Sequence, residues 1–325
     1  MSEIIVGDIG GTHARFALAQ VEMGRVESVG EPRVFKTAEH ETLEAALAAF
    51  AAALGRPLPR AASLAVACPV TGEVLKLTNN PWVLRPADMR AGFASERLVL
   101  VNDFGAVARA VAELGPGYFE PVCGPIEAPP PGPGVTTVLG PGTGLGVAQL
   151  VRAEGRNQVI ETEGGHIGFA PQDRLEDQLV MMLQERHGRV SVERVLSGSG
   201  LGHIASALAA SKGVAFEPRP DPELWGAALE GGDSLAAEAL ERFCRIFGAI
   251  AGDLALAHGA DDVVLAGGLG ARLAGRLSGS TFCEGFISKG RFEARMAAIP
   301  VRVITHPQPG LYGAAAAFAV AGDAA

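Results

Sequence analysis

One device occurs twice in this chain and limits its fold more than any other feature: an apolar strand, a glycine-rich turn and a second strand coming back from it. It appears as IIVGDIGG followed by ARFALAQV, and again as GVTTVLGPGTGLGVAQLVR. Runs of Val, Ile, Ala and Leu on both sides of such glycine punctuation read as neighbouring strands. RVFKT supplies a third strand after the first device, and NQVIETEGG a third after the second. The repeat predicts an α/β protein with two related halves. At 325 residues the chain is about twice the common domain size, which leaves room for two cores.

The segments between the devices fill in the plan. TLEAALAAFAAALG carries apolar residues at three- and four-residue spacing and ends at Gly55, so it is a helix packed on one face. RAASLAVACPV reads as a buried strand, TGEVLKLTNNPW as a hairpin or loop, and RLVLVND as a strand running into the helix FGAVARAVAEL. PVCGPIEAPPPGPG, residues 121–134, cannot continue a helix or a central strand and reads as the connection between halves. After the second device come the helical patterns LEDQLVMMLQERHG, GLGHIASALAAS and SLAAEALERFCRIFGAIAGDLALAHG. The strand DDVVLAGG, more helix, the strand VRVITHP and a terminal helix containing GAAAAFAVAG complete the chain. The second half is larger and more helical.

Composition excludes several classes. A net charge of −9 gives no electrostatic footprint for nucleic acid or an anionic membrane. Cysteines at 68, 123, 244 and 283 form no CxxC pair, which predicts reduced thiols, no structural zinc and a cytosolic setting. Glu3 and Asp8 stand where an export signal carries basic residues, so no export is expected. No apolar run reaches the roughly 18 residues of a membrane span.

Three glycine segments follow predicted strands: Gly7-Asp8-Ile9-Gly10-Gly11-Thr12, Gly140-Pro141-Gly142-Thr143-Gly144, and Ala266-Gly267-Gly268. Glycine permits close backbone approach and lets main-chain N–H groups point at phosphate oxygens, although each turn alone reads equally as a tight hairpin. Neither G-x-x-x-x-G-K-[ST] nor G-x-G-x-x-G is present, which argues against a P-loop ATPase and a dinucleotide enzyme. Asp8 stands where a carboxylate holds magnesium against phosphates, or where a turn Asp accepts its own backbone N–H groups. Asp103 ends a buried strand at a strand-to-helix junction, the edge where α/β sheets bind ligands. A simple N-cap would explain Asp103 but not Asn102 beside it. Glu163 and His166 flank two glycines that deny them a regular helix, so both project from a loop. A carboxylate and an imidazole together suit sugar hydroxyls, while a structural histidine is the plainer reading of His166 alone. Glu193, two residues after Ser191, also reads as an ordinary first-turn helix glutamate.

With these segments in view, the chain resembles the bacterial glucokinases, in the hexokinase branch of the actin-like sugar kinases, over nearly its whole length. The motifs carrying the resemblance, in the family's order, are VGDIGGTHARFAL, ACPVTG, TNNPW, LVNDF, LGPGTGLGVA, EGGHIGFAP, SVERVLSGSGL, LAGG and SKGRF. The clustered-cysteine zinc motif of the related repressor and kinase family is absent. The resemblance implies two ribonuclease-H-like domains with a cleft between them, the small one spanning 1–113 plus about 307–325 and the large one 114–306. It implies ATP on a phosphate-1 segment (Gly7 to Thr12), a phosphate-2 segment (Gly140, Gly142, Thr143, Gly144) and an adenosine segment (Gly267, Gly268), with Mg2+ near Asp8, directly or through water. By the same resemblance Asp103 is the catalytic base, and Asn102, Asp103, Glu163, His166 and Glu193 contact glucose. The product is glucose 6-phosphate, made by a cytoplasmic homodimer. His13 stands where the family commonly has Asn, and Gly168 where some members carry a larger polar residue. Two alternatives stay open: a hexokinase preferring another hexose, such as mannose or glucosamine, and a sugar-sensing protein without turnover.

Overall fold

The computed structural model of the chain describes residues 1–77, 80–125 and 132–321. The chain divides into two compact units. The first is Met1–Gly115 with Val159–Glu161 and His306–Ala325, and the second is Pro116–Gln158 with Thr162–Thr305.

In the first unit, β1 (Ser2–Ile9) and β2 (His13–Glu22) form the first strand–turn–strand device. The ten-residue β2 is long enough to pair twice on its far edge, with β3 (Arg25–Val29) at one end and β4 (Arg33–Lys36) at the other. RVESV therefore forms a strand that the sequence pattern did not announce. Only two of its five residues are even partly shielded, because it lies at the sheet edge. Helix α1 (Leu43–Leu54) begins where the Thr42 hydroxyl accepts the Ala45 N–H, and it leads to β5 (Ala61–Val66). A short hairpin, β6 (Leu75–Lys76) and β7 (Val83–Leu84), precedes helix α2 (Pro86–Gly92), whose roughly two turns carried no periodic signal. Within the TNNPW motif, positions 78 and 79 lie outside the described residues. Strand β8 (Arg97–Asn102) runs directly into α3 (Asp103–Glu113). The sheet order is β3-β2-β1-β5-β8, with β1, β5 and β8 parallel.

The first strand of the second unit is β9 (Phe119–Cys123), whose last three residues belong to the stretch 121–134 expected as the connection between halves. Pro121 is tolerated because β9 is an edge strand, paired antiparallel only with β14 (Val301–Ile304) across a register shift. Residues 126–131 of that connection lie outside the described residues. The second device is β10 (Gly134–Pro141) and β11 (Leu145–Ala153), followed by β12 (Arg156–Thr162). Then come α4 (Arg174–His187), α5 (Val192–Val195), α6 (Gly200–Lys212), α7 (Asp221–Glu230) and α8 (Ser234–His258). Strand β13 (Asp262–Leu265), α9 (Gly267–Leu277), α10 (Phe282–Ile287) and α11 (Glu293–Ala297) lead to β14. The order β12-β11-β10-β13-β14-β9 repeats the plan of the first sheet and adds one edge strand.

Packing follows from composition. Aromatics are scarce, and the second core spends them along α8, where Phe243 meets Trp225 and Phe247 meets Phe282, each at 5.1 Å between ring centres. The first unit has an aromatic cluster of its own in one core, Phe16, Phe35 and Phe50, and builds its other core from small residues. The terminal helix α12 (Pro309–Ala321) presses its alanine face onto α3 and β1, and a Cβ on Gly313 would fall 1.7 Å from the Ala106 carbonyl oxygen. Residues 322–325 of the expected terminal helix lie outside the described residues. No described helix is long and apolar enough to cross a membrane.

The cysteine reading needs correction. Cys123 at the end of β9 and Cys283 in α10 form a disulfide across 160 residues of sequence, so the four thiols are not all reduced. Spacing rules detect local pairs, and this pair is made only by the fold. Cys68 and Cys244 are buried, and burial pushes the Cys244 thiol up to about 11.

His258 ends α8 with Nδ1 2.9 Å from the Thr137 hydroxyl, and burial holds its pKa below the ordinary 6.5. The unfolded chain therefore takes up more protons as pH falls. The contribution is intact above pH 6.5 and is lost progressively below it. We expect the Tm to drop between pH 7.5 and 5.5, and His258→Gln, which can still bond Thr137, to flatten part of that slope in thermal melts. An unaltered slope in the variant would contradict the assignment.

Candidate active site

In the first unit the glycine turn is fastened from several sides. Gly10 N–H donates to the His13 carbonyl at 3.0 Å and closes the turn, while the Thr37 hydroxyl and N–H reach the Gly11 and Thr12 carbonyls at 3.0 Å each. Asn80 adds its side-chain amide to the Gly10 carbonyl at 3.2 Å, a contact that no local sequence signal suggested. Gly7, Asp8 and Ile9 are the last residues of β1, and Gly10, Gly11 and Thr12 follow as the turn. Asp8 pairs across the strands with Arg15, 3.7 Å away. Gly310, at the start of α12, comes so close that a Cβ there would lie 3.0 Å from the Asp8 carboxyl carbon. Burial raises the Asp8 pKa, and the Arg15 charge offsets this only partly. Among the described residues no group of three His, Cys, Asp or Glu side chains could hold a metal ion, so Asp8 stands as a single carboxylate.

The strand-to-helix junction lies in the same unit. Asn102, not Asp103, is the N-cap of α3: its Oδ1 accepts the N–H groups of Phe104 at 3.0 Å and Gly105 at 3.1 Å. Asp103 is the first helical residue, half-buried, and its Oδ1 also accepts the Phe104 N–H, at 2.8 Å. The adjacent polar pair is thus explained locally by a division of labour in which the buried amide caps the helix and the carboxylate is presented one residue later. Glu161, not singled out by sequence reasoning, accepts the Asn102 N–H.

In the second unit the backbone of Leu145 is flanked by one expected residue, Glu193, and by the glycine turn that carries two others, Glu163 and His166. Glu193, in the first turn of α5, receives the Leu145 N–H on Oε2 at 3.0 Å. On the other side, Gly165 lies against the Leu145 carbonyl, so closely that a Cβ would sit 2.2 Å from its oxygen. Gly164–His166 form a 3-10 turn, not the irregular loop expected, with Glu163 as its cap residue. Glu163 and His166 therefore stand together, 3.8 Å between Oε2 and Nε2, and more than half of each side chain is exposed. The chain that follows is tied to residues 190–192 by the Val192 N–H on the Ile167 carbonyl and the Phe169 N–H on the Val190 carbonyl. That pairing delivers Glu193 to the same place.

The Gly142–Gly144 turn begins where Glu193 ends. Gly142 N–H donates to the Gly144 carbonyl at 2.8 Å, the Gly198 N–H donates to the Gly142 carbonyl at 2.8 Å, and Thr143 is exposed at the tip. Gly140 runs so close to the Ala266 carbonyl that a Cβ would lie 2.0 Å from it. Gly267 and Gly268 belong to the first turn of α9 instead of a free turn after β13.

A family model described as Glucokinase matches residues 5–321. The chain is 61% identical over 317 residues to a glucokinase of Zymomonas mobilis, covering 98% of each. Its fold superimposes with a TM-score of 0.81 on a glucokinase crystal structure from an Antarctic psychrotroph, at 33% identity over 97% of this chain and 98% of that one. A more distant neighbour in fold is a ROK family glucokinase from Streptomyces griseus, solved with glucose and AMPPNP, at a TM-score of 0.65 and 22% identity over 97% and 98% of the chains. With this agreement over almost every residue, and two sheets of one plan, the chain is an α/β protein of actin-like architecture and belongs to the glucokinase family.

Proposed function

We propose that the chain transfers the γ-phosphoryl group of MgATP to the 6-hydroxyl of D-glucose, giving glucose 6-phosphate and ADP. The observation that carries this reading is that Glu193 and the glycine turn carrying Glu163 and His166 meet at the Leu145 backbone, directly next to the Gly142–Gly144 turn. Acceptor-only carboxylates beside a donor/acceptor imidazole suit a ring of hydroxyls. A glycine turn beside them suits phosphate. Membership of the glucokinase family supports both substrates, as does the fold neighbour that holds glucose and AMPPNP.

In this reading Glu163, His166 and Glu193 hold sugar hydroxyls, with Glu193 offering Oε1 because Oε2 is occupied by the Leu145 N–H. Asn102 spends its oxygen on the helix cap and one amide N–H on the Cys68 carbonyl, and so offers its second amide N–H as a donor. The Asp103 carboxylate accepts the 6-hydroxyl proton while the sugar oxygen bonds to the γ-phosphorus and the bond to ADP breaks. Gly7 to Thr12 and Gly140 to Gly144 hold the phosphates, and Gly267 and Gly268 approach the adenosine. Asp8 fits a magnesium ion: a hard carboxylate whose burial leaves it short of countercharge suits an ion that takes one or two carboxylates together with phosphates and water. When bound, that ion supplies neutralisation of phosphate charge.

The domain limits belong to the same proposal, with a small domain of 1–113 plus about 307–325 and a large domain of 114–306. We also assign a cytoplasmic homodimer. The location now rests on family membership, since the argument from reduced thiols falls with the Cys123–Cys283 bond. Light scattering should give twice the mass of one chain.

An assay of ADP formation with MgATP tests the reaction itself. Glucose should support turnover well above mannose, fructose, glucosamine and a blank without sugar. Equal rates with several hexoses would remove the glucose preference, and no ADP with any sugar would remove the kinase assignment. Asp103→Asn keeps an oxygen for the Phe104 N–H and should melt within a few degrees of the parent. Its kcat should fall at least about a hundredfold, the low end for a lost general base. Near-parental turnover would exclude Asp103 from the proton transfer.

A further inference from the structure

We propose that Glu161 is a positioning residue for Asp103, fixing through the Asn102 backbone the junction from which the Asp103 carboxylate projects. The inference rests on the assignment of Asp103 as the base. Two separate features of the first unit support it. Glu161 Oε1 accepts the Asn102 N–H at 2.9 Å, although Glu161 is itself a solvent-exposed residue of β12. Gly105, buried in the first turn of α3, provides the seat: a Cβ there would lie 2.5 Å from Oε1 and 2.8 Å from Cγ of Glu161.

The junction holds its shape because side-chain oxygens receive its backbone donors. Asn102 Oδ1 takes the Phe104 and Gly105 N–H groups, Asp103 Oδ1 shares the Phe104 N–H, and Glu161 takes the Asn102 N–H. The last of these contacts comes from a different strand, so it anchors the turn against something outside itself. A carboxylate at this place also complements the positive end of α3. Losing the acceptor leaves a donor without its partner at the residue preceding Asp103. Proton transfer in the attack geometry tolerates little displacement: about 1 Å of misplacement can cost about a hundredfold.

Glu161→Ala is expected to lower kcat about tenfold with the KM for ATP unchanged, and to speed hydrogen exchange at the Asn102 amide. Glu161→Gln, which keeps an acceptor oxygen, is expected to return kcat to within about twofold of the parent and to restore that protection. Gly105→Ala, which evicts the Glu161 carboxylate, should match Glu161→Ala, and the double variant should be no worse than either single change. An active parent with an undiminished Glu161→Ala variant overturns the proposal alone. So does Glu161→Gln as impaired as Glu161→Ala, because charge and not the hydrogen bond would then be at work. A parent that forms no sugar phosphate overturns the kinase reading, and this proposal with it.

Discussion

The Leu145 backbone is held on both sides of its Cα, its N–H by the Glu193 carboxylate and its carbonyl by the close-packed bare backbone of Gly165. Everything gathered in the second unit depends on that grip. Leu145 is the first residue of β11, so the strand that closes the glycine turn starts where a carboxylate from α5 and a 3-10 turn after β12 meet. Moving either partner would shift the turn and the exposed side chains of Glu163 and His166 together. A single buried residue, Leu145, thereby couples a glycine turn to the polar side chains beside it.

The two devices share a plan but use different fasteners. In the first unit the turn is closed by Gly10 and braced by Thr37 and Asn80, and its carboxylate belongs to β1 itself. In the second, the brace is the Gly198 N–H and the carboxylate arrives from a helix about fifty residues away along the chain. Backbone geometry was repeated while the side-chain contacts were built independently. This is the pattern expected if function resides in sites placed on a reusable scaffold.

Much of the scaffold is legible in sequence because it rests on short-range rules. Strand–glycine–strand punctuation, the helix stop at Gly55 and the helical periodicity of α1, α4, α6 and α8 all act within a few residues. What escaped reading is set by distance along the chain. β9 exists because β14 offers it an edge, and the Cys123–Cys283 bond joins residues 160 apart. At the site, the local grammar identified Asn102 and Asp103 as a polar pair at a junction, yet which of them caps α3 is decided by side-chain direction. Glu161 was invisible for a related reason. Two residues before Glu163 in an edge strand it looks like surface, and only Gly105, 56 positions earlier in the numbering, gives it a seat.

A common physical theme runs through these carboxylates. Asp103 gives one oxygen to the Phe104 N–H, Glu193 gives one to Leu145 and Glu161 gives one to Asn102. A long acidic side chain that is free in water samples many rotamers, and holding one for a reaction costs entropy each time. Tying one oxygen to a backbone donor settles that cost during folding and leaves the group already oriented when a ligand arrives, which is where most of the advantage of a rigid site lies. Asp8 and Glu163 differ: Asp8 faces Arg15 across the strands, Glu163 stands beside His166, and among the described residues no backbone donor holds either carboxylate. For Asp8 the contrast follows from what it does in the proposed reaction: a base gains from fixed direction, whereas a carboxylate beside a mobile hydrated cation gains more from charge that its surroundings compensate only in part.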